Sequence, residues 1–403
     1  MKQKIFIADL KLGMYVSELD RPWLDSPFLF QGFLIEDKEQ VYEIRKTCEF
    51  VFVDEEKSVI PIHASSKSSA QGRDNKAETP PLIHVQVEDE FIPAQQLRKD
   101  ISRTLDKIFT DVRKGNRLDI GKAENSVSEM IESIMRNPNA MLLVGNLRSK
   151  DEFAESHAIN VAVLTIFFGS NLGLPKKVLQ ELGLGALLHD IGEIIIPNEI
   201  LAKGSRLKGA EFQIMKTHTE KGAELLSHAD DIPKSAIDIA HSHHERINGS
   251  GYPRGIQGSE MSYFSKIVSL VDFYDAITAP RAGRAINSVD ALKHIYNWRD
   301  KLFDPDLVEH FIQCIGIYPV GSMVELGTGE VGIVISIDQE KRLLPKLLLV
   351  RDEEKQPYYP PHIFNMALLA ERAEHVPEIK HILKPGDYGV DIKNYLLKEN
   401  FAR

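Results

Sequence analysis

Cysteine is scarce in this chain of 403 residues, which contains only Cys48 and Cys314, in unrelated segments. Two isolated thiols exclude a disulfide framework and a thiolate metal site. We therefore expect a protein of the reducing cytoplasm.

Long apolar runs are also missing. The most apolar segment, residues 158–174, is interrupted by Asn160, Ser170 and Asn171, and it is shorter than the ~20 residues that a membrane span needs. The first residues, MKQKIFIADLKLGM, are charged and do not follow the pattern of a secretory signal. We expect residues 158–174 to form a buried helix and the protein to have no membrane partner.

The chain has no excess of positive charge, since its formal net charge is −10. No overall basic field exists to attract a nucleic acid polymer, so we exclude that class of partner. A small anionic substrate would have to be attracted by bound metal and by local arginines.

Changes in composition divide the chain into five predicted segments. Residues 63–81, HASSKSSAQGRDNKAETPP, are poor in large apolar side chains and cannot offset the entropy of ordering. The predicted segments are a β-rich amino-terminal domain at 1–62, a flexible linker at 63–87, a helical connector at 88–136, a helical domain at 137–320 and a β-rich carboxy-terminal appendage at 321–403.

The residue patterns predict a mainly α protein with small β-rich ends. Strand composition marks 28–35 and 50–55, with a short helix between them. Helical spacing begins near residue 88, breaks at Asn137–Pro138 and continues to about Ile317. Beyond this point, 322–338 predicts two strands joined by a Gly-Thr-Gly turn, and 346–352 predicts a third. The central region is therefore predicted to be a helical bundle.

Histidine and aspartate recur at positions where burial is expected. The run HHERINGSGYP at 243–253 places two imidazoles side by side, while the stretches LLHD and SLVD put polar groups directly after apolar residues. The candidate metal ligands are His157, His189, Asp190, His218, His243, His244 and Asp272. Each has an ordinary alternative, such as a helix-end cap, a solvated helix end or a salt-bridge partner. Together they favour metal, because buried polar groups are costly unless something satisfies them.

The ligand pattern, the LLHDIGE dyad, the HHERINGSGYP tract and the VDFYDAITAPRAGR block together resemble the HD-GYP domain of the HD phosphohydrolase superfamily, over about residues 137–320. The resemblance implies a metal-dependent phosphodiesterase with a binuclear site that hydrolyses cyclic di-GMP to pGpG and GMP. All seven candidates match the metal-ligand positions. His189 and Asp190 are then the catalytic dyad, with Asp190 bridging the metals. The mixed nitrogen and oxygen ligands favour two divalent iron or manganese ions, with nickel and zinc as alternatives.

The resemblance also implies roles outside the ligand set. Arg281 and Arg284 match substrate-phosphate positions, although a solvated helix face is the alternative. Glu245 and Arg246 are expected to orient the histidines, and Gly249, Gly251 and Gly255 to allow a tight loop before and after Tyr252 and Pro253. Tyr252 is expected to pack structurally, although stacking on guanine is also open. His241 lies outside the pattern.

Two positions depart from the resemblance. Glu193 stands where the family usually has a substrate-binding lysine, and it would share a face with His189 if the helix continued. It repels phosphate, ligates a further metal or is simply a surface residue. Phe153 stands where a third-metal glutamate is expected, with Glu152 and Glu155 out of phase. Two metals are therefore favoured.

Several alternatives remain at this stage. The segment DLKLGMYVSELDRPW at 9–23 resembles a domain of unknown function often fused ahead of HD-GYP domains, so the input signal is undefined. The enzyme could prefer cyclic GMP-AMP or pGpG. A non-catalytic receptor for the dinucleotide, acting on diguanylate cyclase domains through the GYP loop, is the competing class. The sequence does not indicate an oligomeric state.

Overall fold

The structure is a computed structural model that describes residues 2–7, 10–20, 33–35, 38–54, 57–58, 85–147, 153–201, 203, 207–278, 286–338, 341–372, 375–384 and 386–397. The chain forms two compact units, Met1–Thr79 and Pro80–Arg403. Each unit is described by itself.

The first unit contains a four-stranded antiparallel sheet with the strand order β1-β4-β2-β3. The apolar side chains of Val16, Ile44, Val51 and Val53 meet in its core. The predicted strand at 50–55 and the helix before it are confirmed, whereas most of the predicted strand at 28–35 lies outside the described residues. The elements are β1 (Lys2–Phe6), β2 (Tyr15–Leu19), β3 (Phe33–Leu34), α1 (Lys38–Thr47) and β4 (Phe50–Asp54).

The second unit is mainly helical, as the sequence predicts. Its helices are α2 (Val87–Arg113), α3 (Ile120–Arg136), α4 (Pro138–Gly145), α5 (Phe153–Asn171), α6 (Lys176–Leu188), α7 (Asn198–Leu201), α8 (Ala210–Lys216), α9 (His218–Ser227), α10 (Lys234–Ser242), α11 (Tyr263–Thr278), α12 (Ser288–Asn297), α13 (Pro305–Ile315), α14 (Met366–Glu371) and α15 (Ile392–Leu396). Short 3-10 helices cover Ile191–Ile195 and Asp387–Gly389.

The helices begin and end where the local sequence favours it. Asn137 ends α3 and caps α4, its side chain accepting a hydrogen bond from the backbone of Asn139, with Pro138 in the first turn. This confirms the predicted break. Asp304 caps α13 in the same way, and Gly316 ends that helix with a φ of +79°.

Helices α2 and α3 pack as part of the bundle, although the sequence interpretation made residues 88–136 a connector. Helix α2 packs against α3, α4 and α5, and α3 packs against α6. The buried faces explain this: Ile101, Leu105 and Val127 are each at most 1% exposed. Amphipathic helices with faces of this size are stabilised mainly by such tertiary contacts.

The core of the bundle is α5, the helix expected from residues 158–174. Its residues from Ala158 to Ser170 are all buried, and it packs against α6 and α11. Both neighbours carry predicted ligands, so α5 fixes the backbone around the site. Among the described helices, none has the length and apolar character that crossing a bilayer requires.

The carboxy-terminal sheet is larger than predicted. It has five antiparallel strands in the order β8-β7-β6-β5-β9, instead of three. The two missed strands lie at the edges, where β8 contains prolines and β9 pairs with a strand distant in sequence. The strands are β5 (Met323–Leu326), β6 (Val331–Ser336), β7 (Lys346–Arg351), β8 (Pro357–Asn365) and β9 (Ile379–Leu383).

Candidate metal centre

The seven predicted ligand positions lie together in the bundle. They form two groups of potential donor atoms, and within each group the atoms lie within 4.8 Å of one another. One group is Asp190, His218, His243 and His244; the other is His157, His189 and Asp272. They come from five elements and their ends, so only the folded bundle brings them together.

Asp190 lies between the two groups. Its Oδ1 is 3.3 Å from Nε2 of His218 and 3.4 Å from Nε2 of His243. Its Oδ2 is 3.1 Å from Nε2 of His189 and 3.7 Å from Nε2 of His157. Each carboxylate oxygen therefore faces a different set of imidazoles, which is the arrangement of a bridging ligand.

Asp272 spans the groups in a similar way. Its Oδ1 is 3.0 Å from Nε2 of His157, and its Oδ2 is 3.7 Å from Nδ1 of His244. The two carboxylates thus lie among the five histidines, and each contacts histidines of both groups. A site with two anions and five imidazoles has the donor set of a divalent cation pair.

Backbone carbonyls fix the tautomers of three of these histidines. Nδ1 of His189 lies 2.7 Å from the carbonyl oxygen of Ala186, Nδ1 of His218 lies 2.6 Å from that of Met215, and Nδ1 of His243 lies 3.1 Å from that of Ile239. A carbonyl only accepts, so Nδ1 donates in each case. The lone pair is then on Nε2, which is the atom that points toward Asp190.

The alternative that His189 caps a helix end therefore holds for one of its two ring nitrogens. His189 is the C-cap of α6, and its Nδ1 satisfies a carbonyl in the last turn of that helix. Its other nitrogen, Nε2, is buried and makes no hydrogen bond with a described residue. Capping through Nδ1 therefore leaves Nε2 available as a potential donor atom to a metal ion.

The residues present fit a bound metal pair. Nε2 of His189 is buried with no hydrogen-bond partner among the described residues, although Oδ2 of Asp190 lies 3.1 Å away. The Nε2 atoms of His218 and His243 lie 3.3 Å apart, each beside Oδ1 of Asp190, and in the neutral, metal-binding form of the two rings both would carry a lone pair. A cation is the simplest partner for such lone pairs.

The charges in the site also call for a cation. Burial favours the neutral acid, but the histidines around Asp190 outweigh it and hold the pKa of that carboxyl well below its usual range. Burial lowers the pKa of His157, yet hydrogen bonds to Asp272 and Asp275 reverse this and raise it to about 10. Burial, followed by repulsion from His243, lowers the pKa of His244. The carboxylates stay ionised, and their negative charge attracts whatever cation is present.

The open side of the site is at Asp190 and His244. Their side chains are 19% and 22% exposed, whereas His189 and His243 are fully buried. A ligand would therefore meet the side chains of Asp190 and His244 first.

Asp275 is a functional candidate that the sequence interpretation missed. Its Oδ2 lies 2.7 Å from Nδ1 of His157, and its side chain is 1% exposed. It follows Asp272 by one turn of α11, so both carboxylates hold the same imidazole from one helix face. The i, i+3 spacing of the two aspartates in VDFYDA was the signal available.

Glu245 and Arg246 support the loop backbone and not the imidazole rings. The fully buried Glu245 accepts hydrogen bonds from the backbone nitrogens of Arg254 and Ile256. Arg246 donates to the carbonyl oxygens of His243 and Glu245. These bonds hold the backbone that carries His243 and His244 and do not orient the imidazole rings. This differs from the predicted role.

The GYP loop needs glycine at two positions, because its backbone passes close to neighbouring backbone and adopts a positive φ. A Cβ on Gly251 would lie 2.4 Å from the backbone nitrogen of Arg246, and Gly249 has a φ of +75°. Pro253 follows Tyr252 through a cis peptide. The ring of Tyr252 lies 4.7 Å from that of His244, so the loop forms one wall of the open side.

The remaining predicted residues have mixed outcomes. Arg281 and Arg284 lie outside the described residues. Helix α6 ends at Leu188, so the continuous helix that would put Glu193 on the face of His189 does not exist. The charge of Glu193 nevertheless helps Asp190 to overcome burial and raise the pKa of His218 to about 9. Glu193 therefore lies near the site, but it is carried by the 3-10 segment after α6 and not by a continuation of that helix.

Comparisons with known proteins agree with this geometry. Residues 143–307 match the HD domain family, and residues 2–123 match a domain of unknown function, DUF3391. Cyclic di-GMP phosphodiesterase PA4108 of Pseudomonas aeruginosa is 32% identical over 351 residues, which cover 86% of this chain and 84% of that protein. A cyclic di-GMP phosphodiesterase of Thermotoga maritima is 35% identical over 41% of this chain and 45% of its own.

A third relative has a different name. The 3'3'-cGAMP-specific phosphodiesterase 1 of Vibrio cholerae is 33% identical over 39% of this chain and 36% of its own. The similarity to the Pseudomonas protein extends through most of both chains, and the HD-domain match covers the residues that form the two ligand groups. The chain belongs to the HD-GYP family of HD-domain proteins.

Proposed function

We propose that this protein is a metal-dependent phosphodiesterase that hydrolyses cyclic di-GMP to pGpG and GMP. The observation that carries the proposal is the position of Asp190, whose two oxygens face separate sets of histidines. The names of the Pseudomonas and Thermotoga relatives support the substrate.

The proposed ligands are those of the two groups. His218, His243 and His244 form one side and His157, His189 and Asp272 the other, and Asp190 would be shared because its two oxygens face histidines of both sides. When bound, a metal pair lowers the pKa of a water molecule and neutralises charge on the phosphoryl oxygens. The absence of thiolate among these ligands favours iron or manganese over structural zinc.

The chain's own residues position the reaction. The backbone bonds that fix Nδ1 of His189, His218 and His243 keep their Nε2 lone pairs aimed into the site without rotation of the rings. The apolar bundle around α5 excludes water from the inner side. Substrate enters past Asp190 and His244, the partly exposed ligands.

Cyclic GMP-AMP and pGpG are alternative substrates, and the name of the Vibrio relative supports the first. A non-catalytic receptor is the other candidate. Glu193 favours it, because this position departs from the lysine that the family usually has there. The complete set of ligand positions favours the enzyme.

We further propose a cytoplasmic location and contact of the GYP loop with diguanylate cyclase domains. Cys48 and Cys314 are buried and neither forms a disulfide, which supports a reducing compartment. The loop supports the contact only by lying at the open side.

The test is anaerobic purification, metal analysis and chromatography of the products from cyclic di-GMP, cyclic GMP-AMP and pGpG. About two metals per chain, with pGpG or GMP formed from cyclic di-GMP, support the proposal. Faster turnover of cyclic GMP-AMP would change the substrate. Bound metal and bound dinucleotide without turnover would establish the receptor.

A further inference from the structure

A lysine lies at the open side of the metal centre, between two aromatic rings. Nζ of Lys216 is 4.9 Å from the ring centre of Phe212 and 5.0 Å from that of Tyr252. The two rings meet edge to face at 6.3 Å. Cation–π contacts at these distances hold an ammonium group in place without neutralising it.

The position of this lysine follows from the fold. Lys216 is the last residue of α8, one helical turn after Phe212 and two residues before the ligand His218. Tyr252 comes from the GYP loop and contacts the ring of His244. Lys216 is therefore held near the site in two ways: it is two residues from His218 in the chain, and it contacts Tyr252, which in turn contacts His244.

The ammonium group of Lys216 is available to pair with an anion. Among the described side chains, no carboxylate lies within ion-pair distance of it, whereas Lys203 pairs with Glu211. Three N–H donors on a partly exposed, uncompensated cation can accept an anionic ligand. Phe212 is 42% exposed and offers an apolar face beside it.

Binding of a cyclic dinucleotide favours a cation outside the metal centre as well. A cyclic dinucleotide carries two phosphodiesters, and the metal centre can receive only the one that is hydrolysed. The other phosphate would lie outside the metal centre, at the open side, beside the wall that Tyr252 and Lys216 form. A positive group at this place would pair with it.

We propose that Lys216, held between Phe212 and Tyr252, binds the phosphate of the cyclic dinucleotide that is not hydrolysed. This inference rests on the proposed function. Lys216 is a substrate-binding residue in this account, and the exposed ring of Phe212 is a surface on which a base can stack.

The experiment compares wild type with Lys216→Gln, Lys216→Arg and the matched control Lys177→Gln, an exposed lysine on α6. KM and kcat are measured with cyclic di-GMP, and Kd with its slowly hydrolysed bis-phosphorothioate analogue. Bis(p-nitrophenyl) phosphate, which has one phosphate, reports on the metal centre alone.

We expect Lys216→Gln to raise KM and Kd about tenfold or more, since charged hydrogen bonds to phosphate have this effect. Its kcat and its activity on bis(p-nitrophenyl) phosphate should stay within about twofold of wild type, because the contact is equal in ground and transition states. Lys216→Arg should recover most of the affinity, and Lys177→Gln should match wild type.

Unchanged KM and Kd in Lys216→Gln would overturn the inference, as would wild type that does not bind the analogue. An equal loss on both substrates would also overturn it, because that pattern indicates damage to the site. Wild type that binds the analogue but does not hydrolyse cyclic di-GMP contradicts the proposed function alone. In that case weaker binding by Lys216→Gln still supports the inference.

Discussion

Oδ2 of Asp275 lies 2.7 Å from Nδ1 of His157, while Oδ1 of Asp272 lies 3.0 Å from Nε2 of the same ring. His157 is thus held on both nitrogens by carboxylates one helical turn apart. Ligating histidines in metalloproteins commonly have a carboxylate partner on the second nitrogen, which orients the ring and raises its basicity. Asp275 has this relationship to His157.

Asp275→Asn should weaken metal binding and turnover by about 10- to 100-fold, the usual effect of losing such a partner. The measurement is metal content after dialysis against a series of free manganese concentrations, together with kcat. Asp306→Asn, which changes an exposed aspartate on α13, is the control and should behave as wild type. Equal metal retention by both variants would show that Asp275 only fills space.

Asp190→Asn should reduce both metals together and lower kcat by about a thousandfold or more, because several kcal/mol of charge stabilisation is lost. His157→Ala is the comparison, since His157 belongs to one group only. It should reduce the metal content by about one ion per chain. Loss of a single ion in Asp190→Asn would contradict the bridging position.

Glu193→Gln should lower KM for cyclic di-GMP about two- to fivefold, since it removes a half-buried negative charge that phosphate must approach. Metal stoichiometry should not change. Kinetics and metal analysis of the same preparation test both statements. A loss of metal would instead make Glu193 a ligand of a third ion.

Removing metal with a chelator should lower the melting temperature of the helical unit by about 5 °C, because ligands that bind only the folded state stabilise it by about 2.7 kcal/mol at a hundred times Kd. Scanning calorimetry before and after adding manganese back provides the measurement. A transition that does not respond to manganese would indicate that the site forms without binding it.

Gly192→Ala should destabilise the helical unit by about 1–3 kcal/mol or more through overpacking. A Cβ at this position would lie 1.9 Å from the carbonyl oxygen of His218, so the 3-10 segment could not approach α9. Denaturant unfolding measures the change. Gly121→Ala in α3 meets only an ordinary contact at 3.7 Å and serves as the control. Similar stability of both variants would show that the segment moves aside at little cost.

The seven candidate ligand positions that the sequence singles out do lie together in the structure, and their binding of metal stays a prediction. The sequence predicts the helices well, since Ile101, Leu105 and Ile108 repeat at helical spacing and are all buried. It predicts the outer strands poorly, because β8 carries prolines and exposed residues such as Tyr359. Local spacing could show that Asp275 shares a helix face with Asp272 and Lys216 one with Phe212, but not that Asp275 meets His157 or that Lys216 meets Tyr252, because those partners are distant in the chain.

The local bonds of His189, His218 and His243 have a consequence for metal choice. Each ring is oriented by a carbonyl of its own chain segment within four residues, and none of these bonds depends on an ion. The donor atoms therefore keep their directions during exchange of one metal for another. Occupancy should follow the relative supply of competing ions in the cell, so that the same chain could change its activity as the intracellular iron and manganese pools change.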